Sequence, residues 1–358
     1  MASNPRGVLQ FGVFPPPHGG VQSNVVAIRD YVRRFGIRCG VVNLTRHRRT
    51  DNDDVFYPKT PFGVVSRMIS FPAGILHFHL GGNIMPRLLG LYLLGSLLPG
   101  KSTVLTFHSG GYPDTPEGRA ATSSGFAAFV FRRMDRVIAV NRAIADLFQR
   151  FGVSPEKIRL IPPYSVPAQH APTEIPPHLQ DFLDNHHPLL LTVGLLEPEY
   201  DLPLQIDVLG RILDRYPAAG LIVAGAGSLH SHLEALIASK PYASNILLYG
   251  DMPHALTLHL LRACGILLRT TLYDGDSVAV REALHFGTPV IASDNGMRPA
   301  GVSLIPKQDV EALRIAIETQ LQRGRERTGA MPSGEENLEA VLQLYDELYR
   351  ERSLTWKQ

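Results

Sequence analysis

Between residues 269 and 289 the chain reads RTTLYDGDSVAVREALHFGTP, and two carboxylates, Asp274 and Glu282, stand eight positions apart in it. The pattern is strand, turn, helix, glycine stop and next strand. Asp276 or Ser277 is a natural N-cap for that helix. The first amides of a helix lack intrahelical partners and can receive an anion such as a diphosphate. Asp274 falls in the loop and Glu282 about one and a half turns into the helix, so both can face one crevice. A capped helix with a solvated acidic face is the plain alternative. Arg269, Arg281 and Arg298 lie in or beside the same segment.

Two other places combine glycines with a polar group. After the first apolar run comes FPPPHGG, in which Gly19 and Gly20 precede a helical stretch. Such glycines let backbone N–H groups approach a ligand, although a tight strand-to-helix turn needs them equally. After the fourth apolar run comes Thr106-Phe107-His108-Ser109-Gly110-Gly111. His108, at a strand end beside a Gly-Gly turn, is placed to orient a hydroxyl or move a proton; a structural histidine is the alternative. His77 and His79 lie two apart on one strand and share a face. With no third ligand in sight, they read as packing or hydrogen-bonding residues and not as a metal site.

The elements that position these residues alternate. Strands are expected at 8–13, 37–44, 75–80, 102–107 and 136–140, with helices near 21–35, 62–70, 84–97, 122–134 and 142–151. The proline-rich polar stretch 162–187 interrupts the rhythm and reads as a linker. The alternation then restarts, with strands at 189–195, 220–224, 245–249, 265–270 and 289–292 and helices between and after them. Residues 335–350 form a last helix with Leu338, Val341, Leu342, Tyr345 and Leu348 at helical spacing. The fold class is therefore α/β, with two Rossmann-like domains built on parallel sheets. The first is 1–165, the linker 166–187, the second 188–325, and the helix 334–352 packs elsewhere, the first domain being one candidate.

Composition agrees with a globular protein: 358 residues, 44% hydrophobic and 19% charged, net charge +2. Two cysteines, Cys39 and Cys264, give no disulfide framework and no cysteine zinc site. The start MASNPRGVLQFGVF lacks the pattern of a signal peptide, so a cytoplasmic location is expected. The apolar stretch 88–99, LLGLYLLGSLLP, is short of the ~20 residues a spanning helix needs; it reads as a buried helix or as a membrane-surface element. Charge is unevenly spread. Residues 1–170 hold 20 Lys and Arg against 9 Asp and Glu, and residues 171–358 hold 15 against 24. The first half therefore suits an anionic partner such as a membrane leaflet or a phospholipid-linked substrate, or is simply a solvated basic surface. No helix-turn-helix, zinc-finger or RNA-binding signature supports nucleic acid.

The segment with Asp274, seven residues, Glu282-Ala283 and then GTPVIASD resembles the C-terminal domain of glycosyltransferase family 4, whose mark is an acidic pair E-x7-E before a G-T-P-V strand start. LIVAGAGSLHSHLEAL at 221–236 is similar to that family's strand, glycine loop and helix. PPPHGGVQ resembles its first loop, and RVIAVNRAIADLF resembles its last N-domain strand and helix. The resemblance implies the GT-B fold, with the two sheets facing across a cleft. It further implies retaining transfer of a hexosyl group from a nucleoside-diphosphate sugar, UDP- or GDP-linked, to a hydroxyl; a lipid-linked or polysaccharide acceptor fits the basic first half. Neither cofactor nor metal is implied. His108, Asp274 and Arg298 become the expected catalytic residues. Gly19, Gly20, Gly194, Gly225, Gly227, Arg269, Gly275, Asp276, Ser277, Val278 and Glu282 become the expected donor-binding residues, with Glu282 on the ribose. Front-face attack assisted by the leaving phosphate then needs no protein nucleophile.

The chain departs from that family in three places. The usual G-R-L-x-x-x-K, whose cations neutralise the leaving diphosphate, is here Gly194-Leu195-Leu196-Glu197-Pro198-Glu199-Tyr200. A leaving diphosphate needs positive charge or aimed dipoles, so the expectation is relocated charge, on Arg298 and Arg269. The first acidic residue is Asp where the family has Glu, and IPPYSV replaces I-P-N-G-V. Asp274-Gly275-Asp276 also spells the D-x-D metal mark of GT-A enzymes, which the two-domain pattern opposes. A non-catalytic homologue that binds sugar nucleotide or partners an active transferase is the second reading, and a nucleotide-sugar epimerase the third.

Overall fold

A computed structural model describes residues 7–45, 49–163, 166, 174–273, 277–324 and 332–355, the last three without their side chains. The chain divides into two compact units. The first takes the described residues within Met1–Pro16, Val21–Ser165 and Gly334–Gln358, and the second those within Pro17–Gly20 and Val166–Ser333.

The first unit carries strands β1 (Gly7–Gly12), β2 (Arg38–Asn43), β3 (Val55–Phe56), β4 (Ile75–Leu80), β5 (Ser102–Phe107), β6 (Arg136–Ala139) and β7 (Ile158–Leu160). Its helices are α1 (Gly20–Arg34), α2 (Pro61–Ser70), α3 (Pro86–Leu97), α4 (Pro116–Arg119), α5 (Phe126–Arg133) and α6 (Arg142–Arg150). The strands form one parallel sheet in the order β3-β2-β1-β4-β5-β6-β7. Both faces are covered, so alternate residues enter two separate cores. Leu9, Phe11, Leu76, Phe78, Leu105 and Phe107 pack on one side with residues of α3, α5 and α6. Val8, Ile75, Val104 and Ile138 pack on the other with Ile28 and Val32 of α1.

The second unit holds α7 (Pro177–Asn185), β8 (Leu189–Val193), α8 (Leu202–Leu213), β9 (Gly220–Ala224), α9 (His230–Ala238), β10 (Ile246–Gly250), α10 (His254–Ala263), β11 (Ile266–Arg269), α11 (Val278–His285), β12 (Val290–Ser293), β13 (Ser303–Ile305) and α12 (Val310–Arg323). Its parallel sheet runs β10-β9-β8-β11-β12-β13. In each sheet one strand is flanked on both sides by later ones: β1 pairs with β2 and β4, and β8 with β9 and β11. Strand order reverses there, and ligands of open α/β sheets bind beyond the carboxyl ends of the strands at such points.

Two features differ from the sequence reading. The stretch read as linker contains α7, whose Leu179 and Phe182 are buried in the second unit's core. Pro177 opens that helix at a position where the missing N–H costs nothing, so the proline was a start signal and not only a breaker. The short strands β3, β7 and β13, of two or three residues, carry too little alternation to read from sequence. The last helix, α13 (Glu335–Thr355), belongs to the first unit. Its Leu338, Val341, Leu344, Tyr345 and Leu348 are buried against Val8, Ile28, Ile75, Val104 and Ile138.

That helix also alters the charge reading. Its carboxylates pair with the sheet's cations, Glu347 with Arg159 at 3.2 Å and Glu351 with Arg136. Among its described residues the first unit contains 19 Lys and Arg against 15 Asp and Glu, a smaller excess than in residues 1–170. Among the described residues no helix is long and apolar enough to cross a membrane. The apolar stretch 88–99 lies mostly in α3, which buries Leu89, Tyr92 and Gly95 and exposes Leu94 and Leu97.

Candidate functional site

At the switch point of the second sheet the turns after β8 and β9 lie backbone against backbone. Gly194 N donates to the Ala224 carbonyl at 3.0 Å, and Leu196 N to that of Ala226 at 3.0 Å. A Cβ on Gly225, whose φ is +146°, would meet the Gly194 oxygen at 1.6 Å; one on Gly227 would meet the Leu196 oxygen at 2.4 Å. Packing between the two turns therefore accounts for both glycines. Gly194 itself is covered by the Tyr200 ring and the Arg269 guanidinium, 2.2 and 2.9 Å from a would-be Cβ.

Arg269, at the end of β11, is 6% exposed. Its Nη1 donates to the Val193 carbonyl at 2.7 Å, and its guanidinium lies 4.7 Å from the Tyr200 ring centroid. The expected phosphate cation thus also braces the β8 turn. Arg298 follows β12; its Nη2 donates to Thr271 Oγ1 at 2.6 Å and its Nε to the Ser293 carbonyl at 3.1 Å. This holds its guanidinium where β11 and β12 end. Asp274, Gly275 and Asp276 lie outside the described residues. Ser277 is the residue before α11 and is buried, and Val278 opens the helix. Near them, residues 17–20 count with this unit: His18 N donates to Asp251 Oδ1 at 2.9 Å, and a Cβ on Gly20 would meet Val278 Cγ2 at 3.3 Å. Gly19 lies in the same short segment.

Glu282 points inward from α11 and is 2% exposed. Its Oε1 accepts from Nε2 of His254, the first residue of α10, at 2.6 Å. Burial opposes a charge on His254, but the Glu282 carboxylate, by its charge and its hydrogen bond, outweighs that and raises the imidazole above its usual range. Between Leu195 and Tyr200, the positions where the family pattern has its two cations, Glu197 accepts from the Ser228 amide at 2.9 Å and from Ser228 Oγ at 2.5 Å. These hydrogen bonds hold its carboxyl below the usual range, so this position is firmly anionic.

In the first unit, His108 follows β5, and its amide donates to the Leu80 carbonyl at 2.8 Å. His108 Nε2 is 3.1 Å from His79 Nδ1, and His79 Nε2 is 2.8 Å from Gln10 Oε1. His77 makes a separate chain, its Nδ1 2.5 Å from the Tyr345 hydroxyl and its Nε2 2.7 Å from Thr106 Oγ1. Burial pushes His77 and His108 down to about 3 and His79 well below the usual range, so all three rings are neutral near pH 7. Among the described residues no group of three or more His, Cys, Asp and Glu could hold a metal ion.

The structure thus brings Gly194, Gly225, Arg269 and Arg298 to the strand ends of one sheet and places His108 at a strand end of the other. Sequence reasoning missed Gln10, Tyr200, Thr271 and His254. Gln10 had a signal, a lone amide inside the apolar strand VLQFG. His254 had none, since its pairing spans 28 residues.

Two family descriptions match the chain: Glycosyl transferase 4-like domain over 17–164 and Glycosyl transferases group 1 over 180–323, together most of its length. The chain belongs to the family 4 glycosyltransferases, of GT-B fold. A phosphatidylinositol N-acetylglucosaminyltransferase component from Arabidopsis thaliana is 22% identical to this chain over 195 residues, 53% of this chain and 42% of that one. The chain therefore spans less than half of that curated relative. Anabaena HepE, solved in complex with UDP and glucose, has a TM-score of 0.67 at 15% identity, covering 97% of this chain and 99% of its own. Sucrose-phosphate synthase from Thermosynechococcus elongatus has a TM-score of 0.66 at 17% identity, covering 98% and 100%. At such identities these structures speak for the fold.

Proposed function

We propose that this glycosyltransferase is a retaining hexosyltransferase that uses a UDP- or GDP-sugar, needs no cofactor, and delivers the sugar to a hydroxyl of a lipid-linked or polysaccharide acceptor. The observation that carries the donor site is the convergence, beyond β11 and β12, of the α11 N-terminus and the Arg298 guanidinium held on Thr271. Helix amides and a fixed cation stabilise charge developing on a leaving diphosphate. Glu282, inward on the same helix, suits ribose hydroxyls, and Asp274 remains the residue proposed near the transferred sugar. Phosphate neutralisation is assigned to Arg298 more than to Arg269, which is committed to Val193 and Tyr200. HepE's complex with UDP and glucose supports this class of donor.

A lipid-linked acceptor is supported by the name of the Arabidopsis relative and by the surface of the first unit. Leu94 and Leu97 of α3 and Phe126 and Phe129 of α5 are exposed, and Arg133 lies over Phe129 and donates to Ser96. Apolar side chains beside cations suit the cytoplasmic face of an anionic membrane. Flotation with anionic vesicles should then weaken as salt rises. Protein that stays unbound at low salt removes the membrane from the proposal.

A thermal-shift screen against UDP, GDP, ADP and their sugar conjugates tests the donor site. One nucleoside diphosphate should stabilise the protein. Glu282→Ala should abolish that shift, and Arg298→Ala should weaken binding about 10- to 100-fold. A folded protein that responds to no nucleotide sinks the reading. The second reading, a non-catalytic homologue that binds sugar nucleotide, is favoured by Leu195 and Tyr200 standing where the family pattern has Arg and Lys. It predicts the same binding losses with no sugar transfer to any acceptor.

A further inference from the structure

Gln10, His79 and His108 lie on three adjacent strands or their ends, and the hydrogen bonds among them run in one direction only. Gln10 is fully buried. Its Nε2 is 3.1 Å from the Val25 carbonyl, which can only accept, so the amide nitrogen must face that way. Nε2 also reaches Cys39 Sγ at 3.5 Å. Gln10 Oε1 is therefore the atom turned toward His79, and an amide oxygen cannot donate. The proton of the 2.8 Å contact consequently sits on His79 Nε2. A neutral imidazole carries one N–H, which leaves His79 Nδ1 bare and able only to accept. The 3.1 Å contact then requires the proton on His108 Nε2, and His108 Nδ1 keeps its lone pair.

The neighbouring His77 does not interrupt this order. Its ring stacks beside His79 with centroids 4.1 Å apart, yet both its nitrogens are engaged by Tyr345 and Thr106.

We propose that Gln10 and His79 are positioning residues that lock His108 as its Nε2–H tautomer, so that His108 Nδ1 accepts a hydrogen bond from the acceptor hydroxyl. The second half of that statement rests on the transferase reading above; the first half does not. His108 orients the hydroxyl and does not take its proton, because burial keeps the ring from protonating near neutral pH. The remote amide acts only by fixing which nitrogen is bare, as the orienting partner of a functional histidine commonly does.

Side-chain 15N NMR of the full-length protein, with His108 assigned by loss of its signals in His108→Ala, reads the tautomer directly. In the wild type His108 should show a protonated Nε2 and a bare Nδ1, unchanged across neutral pH. In His79→Asn the side-chain oxygen can take the place of the lost Nδ1, and the tautomer should persist. In His79→Leu and Gln10→Leu it should shift toward the Nδ1–H form. A wild-type His108 protonated on Nδ1, or a tautomer indifferent to His79→Leu in a folded protein, overturns the proposal. The wild-type and His79→Asn spectra decide it even if both leucine variants fail to fold. If the wild type shows the Nε2–H form but consumes no UDP- or GDP-sugar, the acceptor role falls while the tautomer lock stands. With a working donor and acceptor, His79→Leu should lower kcat on the order of 10²-fold through lost orientation of the hydroxyl with KM little changed, and His79→Asn should recover most of it.

Discussion

Glu282 is a carboxylate that almost no water reaches, and His254 answers it across 2.6 Å. The pairing lifts the folded-state pKa of His254 above its reference value of 6.5. A group raised in this way adds stability below the unfolded pKa and loses it as pH climbs through the folded one. Wild type should therefore exceed His254→Gln in melting temperature most at about pH 5.5, with the gap narrowing toward about pH 9. A gap independent of pH would mean that packing, and not charge, joins the two residues. At this scale the sequence was partly legible. Glu282 and His108 stood out because a motif or a glycine turn marked them. Gln10 was marked only as a lone amide in an apolar strand, with its partners unreadable, and His254 not at all, because a hydrogen bond between distant segments leaves no local spacing to read.

The turns after β8 and β9 show that one set of glycines can answer to packing as well as to a ligand. Glycines 225 and 227 look like a ligand-binding loop, and two turns in contact through their backbones require them with or without a ligand, while Gly194 is closed in by the Tyr200 ring and the Arg269 guanidinium. Gly225→Ala should cost upward of about 2 kcal/mol through the collision with Gly194 and the positive φ, read as a drop in the denaturation midpoint. An alanine accommodated without loss would show that the turns can separate, and would return the glycines to a binding role. The alternation of the longer strands and helices was legible, since buried parallel strands are apolar runs; β3, β7 and β13 were too short to show it. The helix α7 was not, because its prolines were weighed as breakers although Leu179 and Phe182 sit at helical spacing.

Over the whole molecule the first unit is completed by a helix that lies beyond the second in sequence. Tyr345 of α13 is 1% exposed and bonds His77 beneath it. Tyr345→Phe leaves a buried imidazole nitrogen without its partner and should cost about 1–3 kcal/mol, measurable by chemical denaturation; a neutral change would show the nitrogen finding water. The sequence announced that this helix packs on something, from its apolar spacing alone. It offered the first domain only as one candidate, since the five apolar side chains would suit any apolar face.

The position of α13 also bears on how the molecule is made. When the sheet of the first unit has left the ribosome, the face that α13 covers, with Val8, Ile75, Val104 and Ile138 in its core, is still missing that helix. The stretch Val166–Ser333 must be synthesised before that helix emerges, which takes roughly 10–30 s at ordinary elongation rates. The half made first is thus the last to close, and through that interval it offers a chaperone an apolar face that the finished protein hides.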